Sequence, residues 1–195
     1  MDDGMRAGLA EIEAKLELLR RTEAEHGFGV TIDAPGELED IPALPEGVTE
    51  VYRLFSCLAG DYFCFRQPEV VQSPGAWKWR GTNRDCPLGD PLEIGWERYG
   101  VPAGLLGEID GGVAVHLDLA DGRVYHVDHD DYLAMYKHEV DEIDSAEFAG
   151  DIVAFFNRYV LGAGYPQLVE AVIGGHAVTE VDRQGRHRDC WMRLL

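Results

Sequence analysis

The spacing of apolar residues changes along this chain, and each change marks an element. Near the start, Leu9, Ile12, Leu16 and Leu19 fall at i, i+3, i+7 and i+10, one stripe of a 3.6-residue helix with charged residues on its other faces. The spacing predicts a helix over about residues 5–26, with Gly27 placed where a C-terminal cap belongs. The stripe suits core or a dimer seam better than a membrane surface, because the polar face is mostly acidic. Residues 33–45, DAPGELEDIPALP, form a loop rich in proline and acid. Pro45 then opens a second helix, with Val48, Val51, Tyr52, Phe55 and Leu58 inward and Gly60 ending it. Phe63-Cys64-Phe65 reads as a short strand, residues 67–90 as a long irregular loop, and Leu92 to Trp96 as a further strand. Gly100-Val101-Pro102 reads as a turn, with Leu105 to Ile109 as the strand after it.

The period drops to two in residues 111–132, GGVAVHLDLADGRVYHVDHDDY. Val113, Val115, Leu117 and Leu119 alternate with Ala114, His116 and Asp118, the pattern of a half-buried strand. Asp121-Gly122 supplies the two positive-φ positions of a tight hairpin turn, and Val124 and Tyr125 return in the second strand. Beyond it, Asp144 with Glu147 three places on predicts a capping box. The helix it opens carries Phe148, Ile152, Phe155, Phe156 and Tyr159 on one face and runs to Gly162. Pro166 opens a shorter helix with Leu168, Val169 and Val172, ending at Gly174-Gly175, and Thr179 to Val181 and Trp191-Met192 flank the polar turn DRQGRHRD. No internal repeat or low-complexity segment interrupts these elements.

Length and composition set outer bounds. The 195 residues fit one domain, or one domain with appendages, and 46% hydrophobic residues with 10% aromatics can fill a sizeable core. Apolar runs stay far short of the about 20 residues of a membrane span. The opening MDDGMRAGLAEIEAK has neither a basic n-region nor an apolar h-region, so the expectation is a cytoplasmic protein. Cys57, Cys64, Cys86 and Cys190 form no CxxC pair. Cys57 and Cys64 sit among apolar residues as small core hydrophobes, and neither a disulfide framework nor a zinc site is expected.

Charge is the strongest compositional signal, at −19 overall. Residues 108–151 hold thirteen acids against Arg123 and Lys137, residues 1–65 carry nine net negative charges, and residues 66–107 balance. A field of this sign repels phosphate backbones and disfavours nucleic acid, while it speeds encounter with a basic protein. Solubility alone is a sufficient alternative reason for such a surface.

The densest candidate chemistry is His126-Val127-Asp128-His129-Asp130-Asp131, two imidazoles and three carboxylates in six residues. Imidazole and carboxylate donors suit a divalent metal. In an extended strand, however, His126 and Asp128 share one side and His129 faces the other, which favours a solvated strand end running into a turn. No GxSxG elbow, GxxxxGK or GxGxxG occurs, and no cysteine has an electropositive neighbourhood in sequence, so no catalytic residue is assigned. Trp77-Lys78-Trp79-Arg80 offers either an interface anchor or an aromatic lid on the core. Arg183, Arg186 and Arg188 with His187 form a small basic turn that pairs with the protein's own acids.

Four of these features together resemble the SUKH superfamily, which includes the yeast cell-wall-synthesis regulators and many bacterial immunity proteins. They are the Leu44-Pro45-Glu46 lead into an amphipathic helix ending at Gly60, the strand reaching Gly111-Gly112, the strand–Asp-Gly–strand hairpin with Tyr125, and the helix with Phe148, Phe155 and Phe156 that follows an acidic link. The resemblance covers about Leu44 to Leu161, with the tail from about residue 165 to 195 as an extension; the loop from Gln67 to Asp90 departs from it. It implies an α+β fold, a central, mostly antiparallel sheet with helices packed around it in a single domain. It also implies a non-enzymatic role, in which a toxin, often a basic nuclease, is bound and neutralised; neither cofactor nor metal is expected from the residues themselves. The expected contact residues are Asp128, Asp130, Asp131, Glu139, Asp141 and Glu142, with Trp77 and Trp79 as apolar anchors. A regulatory or scaffold module binding an endogenous protein is the second expectation, and a metal-dependent hydrolase centred on His126 and His129 the third.

Overall fold

The apolar stripe of the opening segment becomes helix α1, Asp3–His26. Asp2 caps it by accepting the Met5 N–H at 2.8 Å, and Gly27, at φ 63°, closes it by returning its own N–H to the Glu23 carbonyl. The Glu23 carboxylate then accepts the N–H groups of Phe28, Gly29 and Val30, turning the chain from the helix towards the sheet. Ile12 and Leu16 are fully buried, so the stripe is core.

The structure is a computed structural model that describes residues 1–36, 44–67, 91–100, 112–128, 130, 131, 134 and 145–194. Among these residues, seven strands follow one another across a single sheet in chain order: β1 Thr31–Ile32, β2 Cys57–Ala59, β3 Phe63–Arg66, β4 Pro91–Glu97, β5 Val113–Asp118, β6 Val124–Val127 and β7 Ser145–Ala149. Every neighbouring pair is antiparallel, and the fold is α+β as the sequence predicts. Besides α1, the described residues form helices α2 Val48–Tyr52, α3 Ile152–Phe155 running on through a π-helical turn Phe156–Val160, α4 Tyr165–Val172 and α5 Gly175–Val178, with a 3₁₀ turn at Trp191–Arg193 and a helical turn beginning at Asp130.

Aromatic rings weld the helices to the sheet. Phe65 on β3 meets Phe155 and Phe156 edge-on, with centroids 6.0 and 5.6 Å away, and Tyr52 and Phe55 close around Phe156 from the α2 side. Gly95 on β4 makes room for this cluster: a Cβ there would stand 2.8 Å from the Phe65 ring. Helix α1 is tied on by polar contacts, with Lys15 Nζ donating to the Asn157 carbonyl at 2.9 Å and Asn157 Nδ2 to the Gly8 carbonyl at 2.8 Å.

Four sequence expectations are corrected. The second helix stops at Tyr52, whose carbonyl accepts Gln67 Nε2 at 2.7 Å, and residues 57–59 form β2. Ser56 donates its N–H to the Asp33 carbonyl and its hydroxyl to the Ala34 carbonyl, drawing the chain into the sheet. Leu58 is buried as expected, but from a strand. Residues 145–149 are likewise strand β7, paired Tyr125↔Glu147 and His126↔Ala146. The helix begins only at Ile152, capped by Asp151, which accepts the Ala154 N–H at 2.7 Å. The β5–β6 connection is wider than a two-residue turn. Gly122 has positive φ, at 82°, and the closing bonds run from the Gly122 N–H to the Asp118 carbonyl and from the Asp118 N–H to the Arg123 carbonyl. Finally, β5 is buried on both faces, from Ala114 through Asp118, where the alternation predicted one.

Candidate functional site

The acidic segment lies where β6 ends. Asp128 is exposed just past Val127, and its Oδ1 accepts the N–H groups of Asp130 at 2.9 Å and Asp131 at 3.4 Å. One carboxylate thus caps the helical turn that Asp130 and Asp131 begin, and those two side chains remain exposed. Antiparallel pairing of both with β5 brings the C-terminal ends of β4 and β6 to the same end of the sheet. There Glu97, half-buried, has its pKa raised first by burial and then by the Asp128 charge. His126 turns its Nδ1 to the Ala114 carbonyl at 2.7 Å, so one ring nitrogen is spent on the sheet.

Five other acids are neutralised locally by arginines. Arg123 lies 2.6 Å from Asp121 and 3.5 Å from both Asp118 and Glu147, and Asp121 is held below the usual carboxylate range by the Arg123 N–H and guanidinium. In the C-terminal turn, Arg186 pairs with Asp182 at 2.8 Å and Arg188 with Glu180 at 2.6 Å, as the sequence predicts for that basic cluster. Asp128, Asp130 and Asp131 differ: among the described residues no cation pairs with them. Of the other expected contact residues, Glu139, Asp141, Glu142, Trp77 and Trp79 lie outside the described residues, as do His129 and Cys86.

Two groupings were missed by sequence reasoning. The first is a row across four strands, Glu93↔His116↔Tyr125↔Glu147 in register, with His116 stacked on Tyr125 at 5.6 Å and both rings buried. Alternation already sets His116 opposite Val115 and Leu117, but the cross-strand register that aligns the row is not a local signal. The second joins Asp61, in the β2–β3 turn, to Asp189 and Cys190 near the C-terminus. Nothing in the spacing of residues so far apart announces it. Cys57 and Cys64 lie side by side across β2 and β3, sulfur to sulfur 3.8 Å, with Cys64 buried and Cys57 partly so. No helix among the described residues is long and apolar enough to cross a membrane.

Comparison of the chain with protein-family models, with curated proteins and with solved structures finds no match.

Proposed function

We propose that the chain is a non-enzymatic binding protein whose partner is a basic protein surface, approached through the end of β6. One observation carries this reading: Asp128, Asp130 and Asp131 stand exposed together at one strand end without a cationic partner among the described residues, while Asp118, Asp121, Glu147, Glu180 and Asp182 are matched by Arg123, Arg186 and Arg188. Unmatched charge of one sign, on a chain carrying −19, attracts a partner of the other sign and orients it before contact. In line with the SUKH-like resemblance, the partner is a basic toxin domain, and the mechanism is electrostatic and steric occlusion of its active surface.

The test is capture of tagged protein's partners at low and moderate salt, comparing the chain with the triple variant Asp128→Asn, Asp130→Asn, Asp131→Asn. Capture of a basic toxin-like protein that the triple variant loses supports the proposal. A clean lane, or an acidic endogenous partner held equally by both, moves the reading to a regulatory module. With the partner in hand, association should slow at least about tenfold between ~10 and ~150 mM ionic strength, as the Debye length shrinks from about 30 to about 8 Å. A rate indifferent to salt would sink electrostatic steering.

A further inference from the structure

The β2–β3 turn and the C-terminal segment bring three ligand-grade groups together. A carboxylate oxygen of Asp61, one of Asp189 and the Cys190 sulfur all lie within 4.8 Å of one another. Asp61 is exposed, so solvent ions reach the group, whereas Asp189 is only 1% exposed and Cys190 is fully buried. Asp61 Oδ2 accepts the Cys190 N–H at 2.7 Å, which fixes the turn against the sulfur's own backbone. Asp189 Oδ2 accepts the Met192 N–H at 3.2 Å, and the Tyr165 hydroxyl and Trp191 N–H also act on this carboxyl, yet its buried Oδ1 has no hydrogen bond of good geometry among the described residues. A buried acceptor without a donor is unfavourable and points to something that fills its lone pairs. Among the described residues the nearest cation, Arg193, stands 4.0 Å from Asp61 Oδ2, but its Nε and Nη2 are committed to the His187 and Arg188 carbonyls.

We propose that Asp61, Asp189 and Cys190 form a binding site for one thiophilic divalent cation of the zinc class. One sulfur and two carboxylate oxygens make a three-ligand set that leaves a fourth position for water. Zn–S of about 2.3 Å and Zn–O of about 2.0–2.2 Å place tetrahedral donors about 3.5 Å apart, so the group contracts by about an ångström around the ion. Coordination through Oδ1 would supply that oxygen's missing partner. On binding, the Cys190 thiol gives its proton to solvent and its sulfur lone pair to the metal, so occupancy rises with pH. The ion would pin the C-terminal 3₁₀ turn to the β2–β3 turn.

The experiment titrates the reduced, full-length chain with Cd²⁺ alone, a spectroscopic stand-in for Zn²⁺, reading thiolate-to-cadmium charge-transfer absorption and stoichiometry. The expected result is one equivalent bound, the band lost in Cys190→Ser, and affinity at least about tenfold weaker in Asp61→Asn, since even outer-shell changes have effects of that size. Asp61→Asn keeps an oxygen for the Cys190 N–H and changes an exposed side chain, so it tests the site should Cys190→Ser fail to fold. No band, a band of equal size in Cys190→Ser (which would place the metal at Cys57 and Cys64), or unchanged affinity in Asp61→Asn overturns the proposal.

Discussion

The Trp191 indole donates its N–H to the Val160 carbonyl at 2.8 Å, joining the C-terminal 3₁₀ turn to the π-helical turn thirty-one residues earlier. Its ring also lies nearly parallel to that of Tyr165, with centroids 6.0 Å apart. The indole therefore packs and satisfies a buried carbonyl at once. Trp191→Phe keeps most of the packing and removes the donor, and should lower stability by about 1–3 kcal/mol. Trp191→Ala removes both and should lower it by about 3–5 kcal/mol. Urea unfolding of the two variants checks the order; equal losses would show that the ring's packing adds nothing beyond the hydrogen bond, and no loss in Trp191→Phe would show that the hydrogen bond adds nothing.

Gly95 and Phe65 make a second test of how the helical layer meets the sheet. A Cβ on residue 95 would approach Phe65 Cε1 to 2.8 Å and Val115 Cβ to 3.1 Å. Gly95→Ala should destabilise by about 1–3 kcal/mol despite the usual strand preference against glycine. Combining it with Phe65→Leu should cost less than the sum of the two single changes, because the smaller side chain vacates the contested space. Additive losses in chemical denaturation would mean that Phe65 is not the obstacle.

Asp151 carries the start of α3 by accepting the Ala154 N–H, whereas Glu147 sits on β7 opposite Tyr125. Asp151→Ala should lower stability by about 1 kcal/mol and Asp151→Asn by much less. Glu147→Ala, at an exposed strand position beside Arg123, should change stability by less than about 1 kcal/mol. A larger loss at Glu147 than at Asp151 in thermal unfolding would restore the capping box that the spacing predicts.

These cases mark where the chain was legible. The stripe from Leu9 to Leu19 kept one period over several turns, and its helix stands as predicted, with the predicted glycine cap. Leu58 and Phe148 were assigned inward positions, and both pack inward, Phe148 against Phe155 and Tyr159, but from strands. Short apolar runs fit either period, and what decides is the partner: Ser56 bonding residues 33 and 34, or β6 pairing β7. The exposed acids of Asp128 to Asp131 were readable as a local run. The Asp61, Asp189 and Cys190 group was not, because its members meet only after the C-terminal segment returns to the β2–β3 turn.

Glu97 and Asp128 make a pH-dependent pair. Burial is the larger cause of the raised Glu97 pKa and the Asp128 charge the next. A carboxyl raised in the folded state binds a proton more readily there than in the unfolded chain. Its contribution to stability therefore declines as pH rises from the unfolded value near 4.3 through the raised folded value. Asp128→Asn removes the second cause while leaving an oxygen to cap the Asp130 N–H. The Glu97 titration, followed by carboxyl-carbon NMR, should then move to lower pH without returning to the unfolded value, since burial persists. The pH-linked decline in stability attributable to Glu97 should shrink in the same variant. A Glu97 midpoint indifferent to Asp128→Asn would show that burial alone sets it, and that the two carboxylates at this end of the sheet do not feel one another.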